Sequence, residues 1–140
     1  MNVLVTGCAG FIGFFASQKL LARGDRVVGI DNLNDYYDVR LKKDRLLQLH
    51  GRQDFRFEQI DVGVNGPITQ LFEHERFDAV LHLAAQAGVR YSLVNPAAYT
   101  HSNLIGFANV LEACRRSAVQ HLVSASTSSV YCGNRKLPFA

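Results

Sequence analysis

Val3-Leu-Val-Thr-Gly-Cys-Ala-Gly-Phe-Ile-Gly13 decides the reading, because a short apolar run passes directly into glycines at 7, 10 and 13. Where a strand ends in Gly7 and a helix opens near Gly13, free backbone N–H groups and the positive end of a helix dipole meet at one point, which suits a pyrophosphate. The spacing is G-x-x-G-x-x-G and not G-x-G-x-x-G, yet each glycine has the same kind of reason: Gly7 permits the tight turn, Gly10 lets phosphates approach the backbone, and Gly13 lets the helix pack close to the sheet. The bare spacing is a weak signal that its context strengthens. Arg26-Val-Val-Gly-Ile30 reads as a second buried strand ending at Asp31, eighteen residues after Gly13. A carboxylate there accepts hydrogen bonds from a ribose diol and repels a 2′-phosphate, so NAD is expected in preference to NADP. Its plainer role is to cap a strand or turn.

The 140 residues fit one domain with a sizeable core, and the apolar fraction of 48% is ordinary for a globular protein. No run of 18 apolar residues is present to span a membrane, and Met1-Asn2 leads straight into the first strand without a basic leader, so a cytoplasmic protein with no membrane partner is expected. Cys8, Cys114 and Cys132 are odd in number and far apart, which offers neither a disulfide framework nor a C-x-x-C metal site; no metal is expected. Cys8, inside the glycine loop, reads as small filler ahead of a sensitive thiol. The net charge is +3, with Arg40, Lys42, Lys43, Arg45, Arg52 and Arg56 clustered after the second strand. Val39, Leu46 and Leu49 fall at helical spacing and place those cations on the solvent face, so no nucleic-acid partner is expected.

Along the chain, Ile12, Phe15, Ala16 and Leu20 form an apolar stripe at helical period, and Gly24 sits where a left-handed cap ends a helix. The polar loop Asp31–Asp38 precedes the basic helix, Phe55–Ile60 alternates as a third strand, and Asn65 and Pro67 mark a helix start, with Asn65 as its cap. Phe77–Leu83 is a continuous apolar run suited to a central parallel strand, and it opens into the small-residue loop Ala84–Gly88. Asn95-Pro96 starts the longest helix, on which Leu104, Phe107, Ala108, Leu111 and Cys114 share an apolar face. His121–Ala125 is a fifth strand, followed by the hydroxyl-rich Ser126–Ser129. Strands alternating with helices imply an α/β fold with a doubly wound parallel sheet in the order 3-2-1-4-5, and ligands in such a sheet bind beyond the carboxyl ends of the strands.

Thr6–Gly13, Asp31-Asn32, Asp61-Val62, His82-Leu-Ala-Ala85 and Ser126-Thr-Ser-Ser-Val-Tyr131, in this order, resemble the N-terminal half of an extended short-chain dehydrogenase/reductase of the nucleotide-sugar epimerase/dehydratase group. Within that group, Asp31–Asp38 and His82–Ser92 are most similar to UDP-glucuronate 4-epimerases, and the resemblance runs through essentially all 140 residues. It implies that residues 1–140 form the N-terminal part of a Rossmann NAD-binding domain, incomplete at its C-terminal end, with the sugar-nucleotide domain outside this chain. It further implies that the backbone of Phe11 and Ile12 meets the pyrophosphate, and that Asp31 holds the adenosine ribose with Asn32 in the same cofactor-binding set. Asp61 and Val62 border the adenine, Leu83, Ala84, Ala85 and Ala87 line the nicotinamide ribose side, and Asn103 supports that region from the long helix. Thr127 falls on the catalytic Ser/Thr position, where its hydroxyl can hydrogen-bond the reacting sugar oxygen; a strand-end hydroxyl bonded to backbone is its plainer role. Ser126 and Arg90 are expected at the substrate, although Arg90 reads equally as a surface cation. His82 reads as a core residue and not as a catalyst.

The activity implied is epimerisation of UDP-glucuronate to UDP-galacturonate at C4, through a 4-keto intermediate, by a complete protein that acts as a homodimer. The alternatives are a dehydratase or another epimerase of the same group, and a non-catalytic dinucleotide-binding module. The group's proton-transfer pair is Tyr-x-x-x-Lys, and no tyrosine here has lysine four residues on: Tyr36, Tyr37, Tyr91, Tyr99 and Tyr131 are followed at that distance by Arg40, Leu41, Asn95, Asn103 and Arg135. The chain is therefore expected to be a fragment that is inactive alone.

Overall fold

The structure is a computed structural model that describes residues 1–131 and 133–134; Cys132 lies outside the described residues. Five parallel strands, β1 (Asn2–Thr6), β2 (Arg26–Asp31), β3 (Phe55–Gln59), β4 (Ala79–His82) and β5 (His121–Ser124), form one sheet in the order β3-β2-β1-β4-β5. This is the expected order, and it follows from right-handed crossovers that wind outward in both directions from β1. β1 is central: Val5 is registered with Gly29 of β2 and with Leu81 of β4.

Successive residues of β1 point to opposite faces, and each face has its own core. Val3 and Val5 pack with Phe14, Leu21, Leu46 and Leu49, under α1 (Phe11–Ala22) and α2 (Val39–His50). Leu4 packs with Ile68, Leu71, Phe72 and Val110, under α3 (Asn65–His74) and the long helical segment that follows β4. No helix among the described residues is long and apolar enough to cross a membrane.

The buried faces of three helices differ from the sequence expectation. On α1 the buried residues are Gly13, Phe14, Ser17 and Leu21, whereas Ile12 and Phe15 are exposed. Gly13 sets this rotation, because a Cβ there would collide with the Gly7 carbonyl, and the Ser17 hydroxyl donates to the Gly13 carbonyl at 2.8 Å. The small residues carry the close approach, and Ile12 and Phe15 are turned outward.

On α2 the buried positions are Lys42, Leu46 and Leu49, so Lys42 is not a solvent-face cation. Its side chain is 6% exposed, with the ammonium donating to Asn34 Oδ1 at 2.9 Å and to Asp31 Oδ1 at 3.4 Å. A buried charge persists where it is paired and hydrogen-bonded, and Lys42 has both.

The long segment opens as α4 (Pro96–Tyr99), capped by the Asn95 side chain, which accepts from Ala98 N. It widens to a π-helix over Thr100–Ile105 and resumes as α5 (Gly106–Arg116). The wide turns shift the register, so Gly106, Val110, Ala113 and Cys114 are buried while Leu104 and Leu111 are exposed. At α3, Val64 is the cap and Asn65 the first helical residue, its Oδ1 accepting from the Thr69 hydroxyl. Gly24 follows the end of α1 at φ +89°, the left-handed geometry expected of it.

Candidate dinucleotide site

A cavity of about 520 Å³ lies at the carboxyl ends of the strands. Its wall includes Gly7, Gly10, Phe11, Ile12 and Gly13 from the glycine loop, Asp31 and Asn32 after β2, Val62 after β3, and Leu83, Ala84, Ala85 and Ala87 after β4. Most of the expected cofactor set is thus brought to one place. Asp61 and Asn103 are not in the wall itself, but Asp61 bonds Asn32, which is, and Asn103 bonds Gln86, between Ala85 and Ala87 of the wall. Arg90, Ser126 and Thr127 are exposed and outside it, and Ala125 is where the chain beyond β5 reaches the cavity.

The glycine loop has the form a pyrophosphate needs. Gly7 takes φ +70°, which L side chains resist, and its N–H donates to the Ile30 carbonyl at 2.7 Å, tying the loop to β2. The first intrahelical bond of α1 is Phe14 N to the Gly10 carbonyl, so the amides of Phe11, Ile12 and Gly13 stand at the open helix end. The first turn of α1 holds no acidic residue to neutralise that end. A Cβ at Gly10 would have the Gly7 carbonyl oxygen at 3.1 Å as its one protein neighbour within 4 Å, although Gly10 is part of the cavity wall. The space is left to a ligand.

Cys8, in the same loop, is fully buried, and burial, reinforced by the nearby Asp31 charge, holds its thiol far above the ordinary cysteine range. Its Sγ fills the place beside Gly29 of β2, where a Cβ would stand 2.6 Å away. Filler is its role.

At the far side of the cavity Asp31 Oδ1 accepts from Leu33 N at 2.8 Å and from Lys42, both bonds falling on the same oxygen. Tyr37, Lys42 and Arg45 join the wall there. Arg45 donates to the Ala9 carbonyl and to the Tyr37 hydroxyl, which holds the guanidinium against the glycine loop. Asp31 therefore shares the cavity wall with two cations, of which Lys42 is bonded to it. Leu33, at φ +54°, is one of two non-glycine residues with positive φ among those described, the kind of backbone strain that clusters at ligand sites.

Below Val62, the Asp61 carboxylate accepts from Asn32 Nδ2 at 3.0 Å, Gly63 N at 2.8 Å and His101 Nε2 at 2.9 Å. Partial burial alone would raise its pKa; the Asn32, Gly63 and His101 bonds outweigh that and hold it below the usual carboxylate value. On the other flank, the Thr6 hydroxyl accepts from Leu83 N and Ala84 N at 3.1 and 3.0 Å, and Asn103 brackets Gln86, accepting from its N–H at 2.7 Å and donating to its carbonyl at 3.1 Å. The stretch after β4 is thus bonded at both ends. His82 is buried, and burial pushes its pKa down to about 4, so it is neutral near pH 7. Among the described residues no group of His, Cys, Asp and Glu is arranged to hold a metal ion.

Lys42, Arg45, Tyr37, His101 and Ser102 belong to the site or its support and were not legible as such. For Lys42 a signal existed, since it shares helical spacing with Leu46 and Leu49. For His101 no local signal exists, because its partner lies forty residues earlier.

Compared with known proteins, residues 4–140 match the family described as GDP-mannose 4,6 dehydratase. A 37.6 kDa protein of Escherichia coli O111:H- is 54% identical over 140 residues, covering 100% of this chain and 42% of its own. UDP-glucuronate 4-epimerase 2 of Arabidopsis thaliana is 49% identical over 141 residues, covering 100% of this chain and 32% of its own. The crystal structure of UDP-glucuronic acid 4-epimerase from Bacillus cereus, in complex with UDP-glucuronic acid and NAD, superposes with a TM-score of 0.86 at 35% identity, over 97% of this chain and 43% of that one. The chain thus spans less than half the length of the relatives it matches.

Proposed function

The chain belongs to the GDP-mannose 4,6 dehydratase family, and on that premise we propose that the complete protein is an NAD-dependent UDP-sugar 4-epimerase interconverting UDP-glucuronate and UDP-galacturonate. The observation that carries the cofactor is the open N-terminus of α1, where three backbone amides and a glycine without a side chain face a cavity that ends in Asp31. The relatives named as UDP-glucuronate 4-epimerases, and a neighbour holding UDP-glucuronic acid and NAD, support the substrate.

When bound, NAD supplies the acceptor and donor of hydride at C4 of the sugar. The chain's own residues bind and orient. The amides of Phe11, Ile12 and Gly13 hold the pyrophosphate with the help of the α1 dipole. Asp31 accepts from the ribose diol, and Leu83, Ala84, Ala85 and Ala87 present a small apolar wall that excludes water from the nicotinamide side. Thr127, beyond β5, holds the O4 hydroxyl of the sugar, with Ser126 and Arg90 toward the substrate. A threonine hydroxyl does not ionise near neutrality and is no base, so the base is a Tyr-x-x-x-Lys tyrosinate supplied by the complete protein outside residues 1–140.

The family's own description favours a second reading, a nucleotide-sugar dehydratase on the same scaffold. Product analysis separates the two. The complete protein, given NAD and UDP-glucuronate, is expected to form UDP-galacturonate, whereas a 4-keto-6-deoxy sugar from GDP-mannose would establish the dehydratase. Residues 1–140 alone are expected to show no turnover, and Thr127→Val in the complete enzyme to lower kcat by about 100-fold. Turnover by the 140-residue chain would place the base within it, and an undiminished Thr127→Val enzyme would remove Thr127 from the mechanism.

A further inference from the structure

We propose that His101 is a positioning residue for purine recognition, holding the Asp61 carboxylate in the one orientation that accepts from the exocyclic amine of adenine. The inference rests on the NAD reading above and deepens it. A carboxylate has about four lone-pair sites, two on each oxygen. Asp61 Oδ1 has both occupied, by Gly63 N at 2.8 Å and His101 Nε2 at 2.9 Å, whereas Oδ2 has one, by Asn32 Nδ2 at 3.0 Å. The vacant site on Oδ2 belongs to a carboxylate that the other three bonds prevent from rotating. Asp61 is bonded through Oδ2 to Asn32 and adjoins Val62 in sequence, and both of these are in the cavity wall. The vacant site is an acceptor matched to an amino group at the edge of a flat apolar ring.

Two features show that the His101 contact is built into the fold. The imidazole lies over Gly63 in the space a side chain would take, for a Cβ at Gly63 would collide with the ring. Moreover, His101 belongs to the π-helix Thr100–Ile105, in which three consecutive residues serve the site: His101 bonds Asp61, Ser102 is in the cavity wall, and Asn103 brackets Gln86. Such wide turns occur frequently at functional sites.

The test compares two ligands in the full-length protein: NAD, and its analogue with hypoxanthine in place of adenine, which carries an oxo group where the amine was. The wild type is expected to bind NAD about ten-fold more tightly than the analogue, the worth of one hydrogen bond to a charged acceptor. His101→Ala should bring the two affinities within about three-fold of each other by weakening NAD and leaving the analogue little changed, and His101→Gln, which keeps a donor, should retain the preference. Gly63→Ala displaces the ring without altering it and should act as His101→Ala does, so the idea stays testable if His101→Ala does not fold. A purely structural role would weaken both ligands alike, and an unchanged ratio in His101→Ala or Gly63→Ala overturns the proposal. A wild type that binds both ligands equally also overturns it, with the NAD reading intact. A wild type that binds neither removes the NAD reading and this inference together.

Discussion

The Thr6 hydroxyl lies 2.8 Å from His82 Nδ1 in a site sealed from water. That hydroxyl already accepts from Leu83 N and Ala84 N, so its single proton is donated to Nδ1, which assigns the neutral His82 tautomer with hydrogen on Nε2. One threonine therefore joins β1 to the end of β4 and to the loop after β4 that lines the cavity. Thr6→Val keeps the shape but leaves His82 Nδ1 and Ala84 N without that partner, and is expected to cost about 3 kcal/mol. Urea unfolding measures the loss, and titration of the same variant should show weaker NAD binding as the wall shifts. Wild-type stability would mean that the hydroxyl contributes nothing net.

The depressed pKa of His82 gives stability a pH dependence. Folded His82 titrates at about 4 and unfolded His82 near its ordinary 6.5, so between these values the unfolded chain binds a proton that the folded one does not. Its contribution is complete above pH 6.5 and is lost as pH falls toward 4. Unfolding at about pH 5 should cost roughly 2 kcal/mol less than at about pH 7.5 from this residue alone, and His82→Gln should flatten the slope. Parallel slopes in the two proteins would refute the assignment.

Gly10→Val probes the glycine loop separately from its fold. Because an added Cβ there presses only on the Gly7 carbonyl oxygen, at 3.1 Å, the variant should stay folded, with Tm lowered by no more than a few degrees. NAD binding should fall by at least about 100-fold as the branched side chain occupies the pyrophosphate space. Unchanged affinity would mean that the phosphates bind elsewhere.

The preference between NAD and NADP depends on more than Asp31. Lys42 and Arg45 offset part of the Asp31 field that repels a 2′-phosphate, so NAD is expected to bind more tightly by a modest margin, about ten-fold. Asp31→Asn leaves both cations facing the phosphate and should equalise or reverse the order. Titration with both dinucleotides reads the ratio directly. A wild type that favours NADP would show that the cations prevail.

The order of strands and the places where the site gathers were legible because each rests on local chemistry, an apolar run that ends in glycine, aspartate or small residues. The buried faces of the helices were less so. Hydrophobic periodicity ranks Ile12 and Phe15 as core, but α1 turns on Gly13, whose lack of a side chain no hydropathy pattern rewards. Charge ranks Lys42 with the solvent face, whereas its burial follows from Asp31 and Asn34, partners that converge only after β2 and α2 have packed. Periodicity alone does not give the phase of α5, because the π-helix before it adds residues to the turns and carries Leu104 out of the seam.

Cys8 and Gly29 share one volume: the sulfur of the loop fills what the strand leaves empty. Neither residue is then free to evolve alone. A larger side chain at position 29 requires a smaller one at position 8, and a bulkier residue at position 8 finds no relief while the sheet keeps its spacing. Aligned homologues should record this as paired substitutions, a covariation whose origin is space filling beneath the glycine loop and not any chemistry of the thiol.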